Sequence, residues 1–91
     1  MDNSMVYRLS ANARFFNFDA HSFIIDLGTR SFYNLGTSSA LIAAQLNGSN
    51  DLGSIVSMIR DYFNAPEADS AAAVSKFVEM MQEKHLIEAV N

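Results

Sequence analysis

Apolar residues change their spacing once along the chain, near residue 36. Before that point aromatic and β-branched residues favour strands; after it Ala, Leu, Met and Ser recur at helical spacing. Residues 14–18 (Arg-Phe-Phe-Asn-Phe) read as a strand, with a looser extended piece at residues 6–9 ahead of them. Asp19-Ala20-His21 is the expected turn. Residues 22–27 carry the strongest strand signal, with Phe23, Ile25 and Leu27 on one face. Gly28-Thr29 supplies the next turn, because glycine reaches positive φ without a Cβ clash. Residues 31–35 return antiparallel, Tyr33 and Leu35 sharing a face. The pattern predicts a meander of three strands at most.

Three helices follow. The first is capped by Gly36 or Thr37 and runs from Ser38 to Leu46, burying Leu41, Ile42 and Leu46; Asn47-Gly48 ends it in the left-handed conformation. Asp51 caps the second, in which Leu52, Ile55, Val56, Ile59 and Phe63 keep the helical period. The break at Asn64-Ala65-Pro66-Glu67 puts the lone proline near the first turn of the third helix, where a missing N–H costs little. That helix runs from about Glu67 or Asp69 to Lys84. Residues 86–90 form a short extended tail over one end of the core. The expected architecture is α+β and winged-helix-like: a three-stranded antiparallel N-terminal sheet, then a three-helix bundle. The sheet must be packed on by the helices, since a lone meander is marginal.

With 91 residues there is room for one domain, taken as 1–91 with a core of about 14–88. The apolar fraction of 49% is that of a folded protein. Net charge is −4, and the excess of acid lies entirely from Asp51 onward. The six bases, Arg8, Arg14, Arg30, Arg60, Lys76 and Lys84, are scattered singly, which opposes binding by phosphate neutralisation. The absence of cysteine excludes disulfides, thiolate metal sites and thiol nucleophiles. No apolar run forms a signal core or a membrane span, so a cytoplasmic, soluble protein is expected.

Catalytic chemistry finds no support. His21 and His85 are far apart in sequence and lack a neighbouring acid at metal-ligand spacing. His85, at the end of the third helix, suits the helix dipole instead. Glu79 and Glu83 stand one turn apart and read as a solvated face, weakly paired with Lys76 and Lys84. No serine lies in a nucleophile elbow, and the four glycines form no phosphate or dinucleotide loop. No catalytic residue, metal or cofactor is implied.

A recognition surface is the better candidate. On the third helix Val74, Val78, Met81 and His85 form one stripe, the natural core face; Ala73, Phe77, Met80 and Lys84 form a second beside it. A broad core face is the commoner explanation of such a pair. The functional alternative is a groove lined by Phe77 and Met80, with Ala73 leaving space and methionine adapting to a ligand.

The hairpin Phe23-Ile24-Ile25-Asp26-Leu27, turn, Phe32-Tyr33-Asn34-Leu35 resembles that of the PqqD-like proteins, the recognition elements for precursor peptides that are made ribosomally and then modified. The likeness continues through Ile42, Leu46 and Gly48, then Ile55, Val56 and Ile59, then Val74, Phe77, Val78, Met81, Leu86 and Ile87, and so spans about residues 14–88. The chain departs from the family pattern in four places. The turn glycine is displaced to Gly28, Gly36 stands where Asn is common, Ala73 replaces a frequent Asp, and His85 replaces the glycine that ends the third helix.

The resemblance implies a non-enzyme that binds the leader of a precursor peptide and presents it to a maturation enzyme, such as a leader protease or a radical-SAM enzyme. The leader would add as a strand beside residues 31–35 and lie along the third helix. The residues implied are Arg30, Ser31, Phe32, Tyr33, Asn34 and Leu35 on the pairing strand, and Ala73, Lys76, Phe77, Met80 and Lys84 on the facing wall. An open strand edge is independently a template for another chain, and residues 31–35 contain no proline to block it. Lys84 is expected to meet an acid of the leader. The alternatives are a winged-helix DNA-binding regulator, for which the second helix offers only Arg60 beside Asp61, and a structural subunit that dimerises through the same edge. A monomer or a strand-exchanged dimer fits the leader-binding role. Neither nucleic acid nor membrane is an expected partner.

Overall fold

The computed structural model describes residues 1–18 and 21–90. Its elements are β1 (Val6–Leu9), β2 (Ala13–Phe18), β3 (His21–Asp26), β4 (Ser31–Leu35), α1 (Thr37–Gln45), β5 (Asn47–Asp51), α2 (Leu52–Phe63), α3 (Glu67–Glu83) and β6 (Ile87–Ala89). The fold is α+β. The predicted turn at Asp19-Ala20-His21 falls on Asp19 and Ala20, outside the described residues, and on His21, which opens β3.

The three-stranded N-terminal meander is present as an antiparallel sheet of order β2-β3-β4. Its register, Phe16 opposite Phe23 and Ile24 opposite Tyr33, makes Ile24 the fully buried centre of the inner face, with Ala13, Phe15, Tyr33 and Leu35 around it. The face carrying Phe23 and Ile25 is therefore the outer one. Leu27 belongs to neither, lying exposed in the turn. The turn also differs from expectation. Arg30, not Gly28, has positive φ (60°). The Asp26 side chain, buried on the inner face, accepts from the Gly28 and Thr29 N–H groups at 2.9 and 3.3 Å, which fixes the loop without glycine's freedom.

The expectation of three strands at most is corrected by a second antiparallel sheet of order β5-β1-β6. The looser piece at residues 6–9 is its central strand, and the C-terminal tail pairs with it, Leu9 opposite Ile87. Asn47 and Gly48, expected to end the first helix, instead open β5. Gly48 does have positive φ (85°), but inside a register shift between β1 and β5, where it lets the strand bulge. Helix α1 ends at Gln45 with Leu46 as its cap.

Local chemistry explains the remaining boundaries. The Asp51 carboxylate accepts from the Ser54 N–H at 2.8 Å and caps α2, and these bonds hold its carboxyl below the usual aspartate range. Asn64 ends α2 in the left-handed region (φ 51°). Pro66 stands just outside α3 as its N-cap, next to the first turn as expected. At the other end His85 N–H reaches the Gln82 carbonyl and Leu86 N–H the Met81 carbonyl, at 3.0 and 2.9 Å. This is a Schellman ending with His85 (φ 57°) at the position that favours glycine. Its hydrophobic contact is Leu86 with Met81, both 1% exposed.

The core gathers Ile24 from the first sheet, Tyr7 and Ile87 from the second, Ile42, Ala43 and Leu46 from α1, Leu52, Ile55, Val56 and Ile59 from α2, and Val74, Val78 and Met81 from α3. Leu41 is only half-buried and Phe63 is exposed. Phe77 is 6% exposed and belongs to this core, so the buried face of α3 is broader than one stripe. His85 does not extend that face; it is exposed.

Candidate functional site

Strand β4 is the last of its sheet, and among the described residues no strand pairs with its far side. Counting ladder alternation from the pair that closes the hairpin, Asp26 and Ser31, the amides of Ser31, Tyr33 and Leu35 face β3. Those of Phe32 and Asn34 then face the open margin. Their side chains stand on the outer face and are exposed, while Tyr33 and Leu35 are half-buried against the core.

Beside this margin runs α3. The two meet where the Lys84 ammonium lies 4.8 Å from the centre of the Tyr33 ring, a cation–π contact. One turn earlier on the helix begins a groove of about 390 Å³, lined by Met80, Phe77, Lys76 and Ala73 on α3 and by Ser38 and Ser39 on α1. Ser38 and Ala73 also border a second hollow of about 260 Å³, formed with Ile59, Phe63, Ala65, Asp69 and Ser70. The two adjoin at Ser38 and Ala73 and together follow α3. Their chemistry is simple: an apolar floor, small residues that keep them open, and one cation, Lys76, in the lining.

Ten of the eleven residues implied by the sequence fall on β4, its preceding turn, or the exposed and half-buried flank of α3. Phe77 is the exception in role: being buried, it forms the floor of the groove and not a projecting wall. Ser38 and Ser39 were not foreseen. Two serines at a helix start carry no hydrophobic signal, and only the one-residue link from β4 to α1 brings them opposite Ala73. Lys84 was expected to pair weakly with the Glu79 and Glu83 face or to meet a ligand acid; in the structure it rests on Tyr33. Arg60, the base expected on the second helix, is held by Asp61 and Glu67 at 3.0 and 3.1 Å, so it contributes little to a nucleic-acid surface.

A second feature went unforeseen because it exists only once the register is set. Phe16, Phe18, Phe23 and Phe32 share the outer face of the first sheet, with ring centres 5.3 Å apart for Phe16–Phe23 and 6.0 Å for Phe23–Phe32. Phe18 and Phe32 remain 61% and 66% exposed. Among the described residues no group of His, Asp and Glu is arranged to hold a metal, and no helix is long and apolar enough to cross a membrane.

The profile of the family described as "Coenzyme PQQ synthesis protein D (PqqD)" matches residues 22–87. No curated protein matches the chain. Two solved structures are similar in fold. The structure of TbiB1 in complex with the TbiA(beta) leader peptide has a TM-score of 0.80 at 17% identity, over 89% of this chain and 94% of that one. The structure of lasso peptide synthetase B1 complexed with the leader peptide has a TM-score of 0.72 at 14% identity, over 90% and 96%.

Proposed function

From the premise that this chain belongs to the PqqD family, we propose that it is a non-catalytic cytoplasmic protein that captures the leader segment of a ribosomal precursor peptide and presents it to a maturation enzyme. The leader adds as a strand to β4 and packs its inward side chains into the groove along α3. The observation that carries this reading is the open β4 margin, met at Tyr33 by Lys84 at the end of the helix that carries the apolar groove. Main-chain bonds to Phe32 and Asn34 supply affinity that depends little on sequence, and the groove selects apolar side chains. Two proteins of the same fold, TbiB1 and lasso peptide synthetase B1, have been solved with leader peptides, which supports the assignment. Partner enzymes of either kind, a leader protease or a radical-SAM enzyme, are compatible with a binding domain of this fold.

The test is a titration of isotope-labelled protein with the N-terminal segment of the peptide encoded by a short reading frame beside this gene. Amide shifts should concentrate in residues 29–36 and 73–84. Met80→Glu places a charge in the half-buried wall of the groove and should weaken binding at least about tenfold, because an apolar ligand would have to desolvate it. The thermal transition should be nearly unchanged, since Met80 is not in the sealed core. Unaltered binding by Met80→Glu would remove the groove from the account.

A further inference from the structure

A half-solvated antiparallel sheet ordinarily presents polar residues outward. Here the outer face carries an aromatic ladder: Phe18 beside Phe16 (6.2 Å), Phe16 across from Phe23 (5.3 Å), and Phe23 edge-on to Phe32 (6.0 Å). The ladder crosses all three strands and stops at β4. Its last rung, Phe32, is 66% exposed, whereas Phe23 in the middle is covered on both sides. Phe32 is also one of the two residues whose amides face the open margin. A strand added there would lie about 4.8 Å away and would stand alternate side chains on this same face.

We propose that Phe32 is a specificity-determining residue that selects, in the captured peptide, an aromatic or large aliphatic side chain on the outward side of the added strand. This rests on the strand-capture reading above and concerns the opposite face from the α3 groove. The captured residue would continue the ladder by one rung. Asn34, two residues on and on the same face, calls for a small or polar neighbour, so the outward register alternates in kind. A second copy of this chain is a poorer occupant. Strands of six, six and five residues present only about 300 Å², well under the ~800 Å² per partner of a stable interface.

The experiment is a selection of displayed ten-residue random peptides on immobilised protein in three forms: wild type, Phe32→Thr and Phe18→Thr. Threonine keeps strand propensity, and both side chains are exposed, so folding is preserved; the melting curves check this. Wild type should enrich peptides with apolar residues at alternate positions for the groove and an aromatic at one intervening position. Phe32→Thr should keep the groove-facing pattern and lose the aromatic. Phe18→Thr, on the far strand, should keep both. Measured on the selected peptides, wild type should bind about three- to tenfold more tightly than Phe32→Thr, the range expected of one aromatic pair. An aromatic preference retained by Phe32→Thr, or never seen in wild type, overturns the assignment while leaving the groove intact. Failure to select any peptide overturns strand capture itself and the inference with it. A concentration-dependent dimer abolished by Phe32→Thr would assign the face to a second copy and overturn it too.

Discussion

Truncation of Leu86 to alanine should lower the unfolding free energy by about 2–5 kcal/mol and Tm by at least about 10 °C. Leu86 is 1% exposed and occupies a junction that few other residues share. It lies three residues beyond the end of α3 and supplies the hydrophobic half of the Schellman ending against Met81. Its carbonyl accepts from the Ser10 N–H at 2.8 Å, which ties the start of β6 to the segment after β1. Removing the side chain therefore opens a cavity at the seam between α3 and the second sheet. Because His85 already holds a left-handed conformation that costs a non-glycine residue about 1–2 kcal/mol, little remains to keep the turn if its apolar contact is lost. A protein of this length has about 5–14 kcal/mol in total, so the loss is a large fraction. Chemical denaturation monitored by circular dichroism measures it; a change below about 1 kcal/mol would mean that the seam is not part of the cooperative core.

Asn34→Pro should reduce leader binding about 10- to 100-fold while leaving the fold in place. The Asn34 amide faces the open margin, so proline there removes no bond to β3, and edge strands accept it. Tyr33, the residue before it, is already extended, as proline requires. What the substitution removes is the donor that an added strand needs, and its ring occupies the space where the partner's carbonyl would come. The side chain itself is exposed, so Asn34→Ala should bind like wild type and isolates the backbone effect. Equal loss in both variants would mean that the amide side chain, and not the strand edge, is what the peptide contacts.

The sequence made the first sheet legible because its signal is local: alternating aromatic and β-branched residues, broken by turn formers. Leu52, Ile55, Val56 and Ile59 of α2 and Val74, Val78 and Met81 of α3 were legible as buried for the same reason. The second sheet was not. Strands β1 and β6 pair Tyr7 with Ala89 and Arg8 with Glu88, contacts between the two ends of the chain that no local pattern encodes. Strand β5 is Asn-Gly-Ser-Asn-Asp, a composition that disfavours strands; it becomes one because β1 offers a free edge and Gly48 allows the bulge. At the candidate site, the α3 stripe could be read from spacing, whereas residues 30–35 were named as the pairing strand through the family resemblance. The division of labour within that stripe could not, because Phe77 and Met80 lie on one stripe by periodicity and differ in burial, Phe77 being sealed and Met80 half-exposed, only once the helices are packed. The outer aromatic ladder shows the same limit. Each phenylalanine is visible in the sequence, but their common face depends on the pairing of three strands.

Strand capture at β4 is tested most directly by amide hydrogen exchange of residues 31–35, with and without the leader peptide. In the free protein Ser31, Tyr33 and Leu35 should exchange slowly and Phe32 and Asn34 fast; on binding, Phe32 and Asn34 should become slow, giving a strand protected on every residue. Fast exchange at those two amides in a saturated complex would contradict the account, as would slow exchange there before any peptide is added.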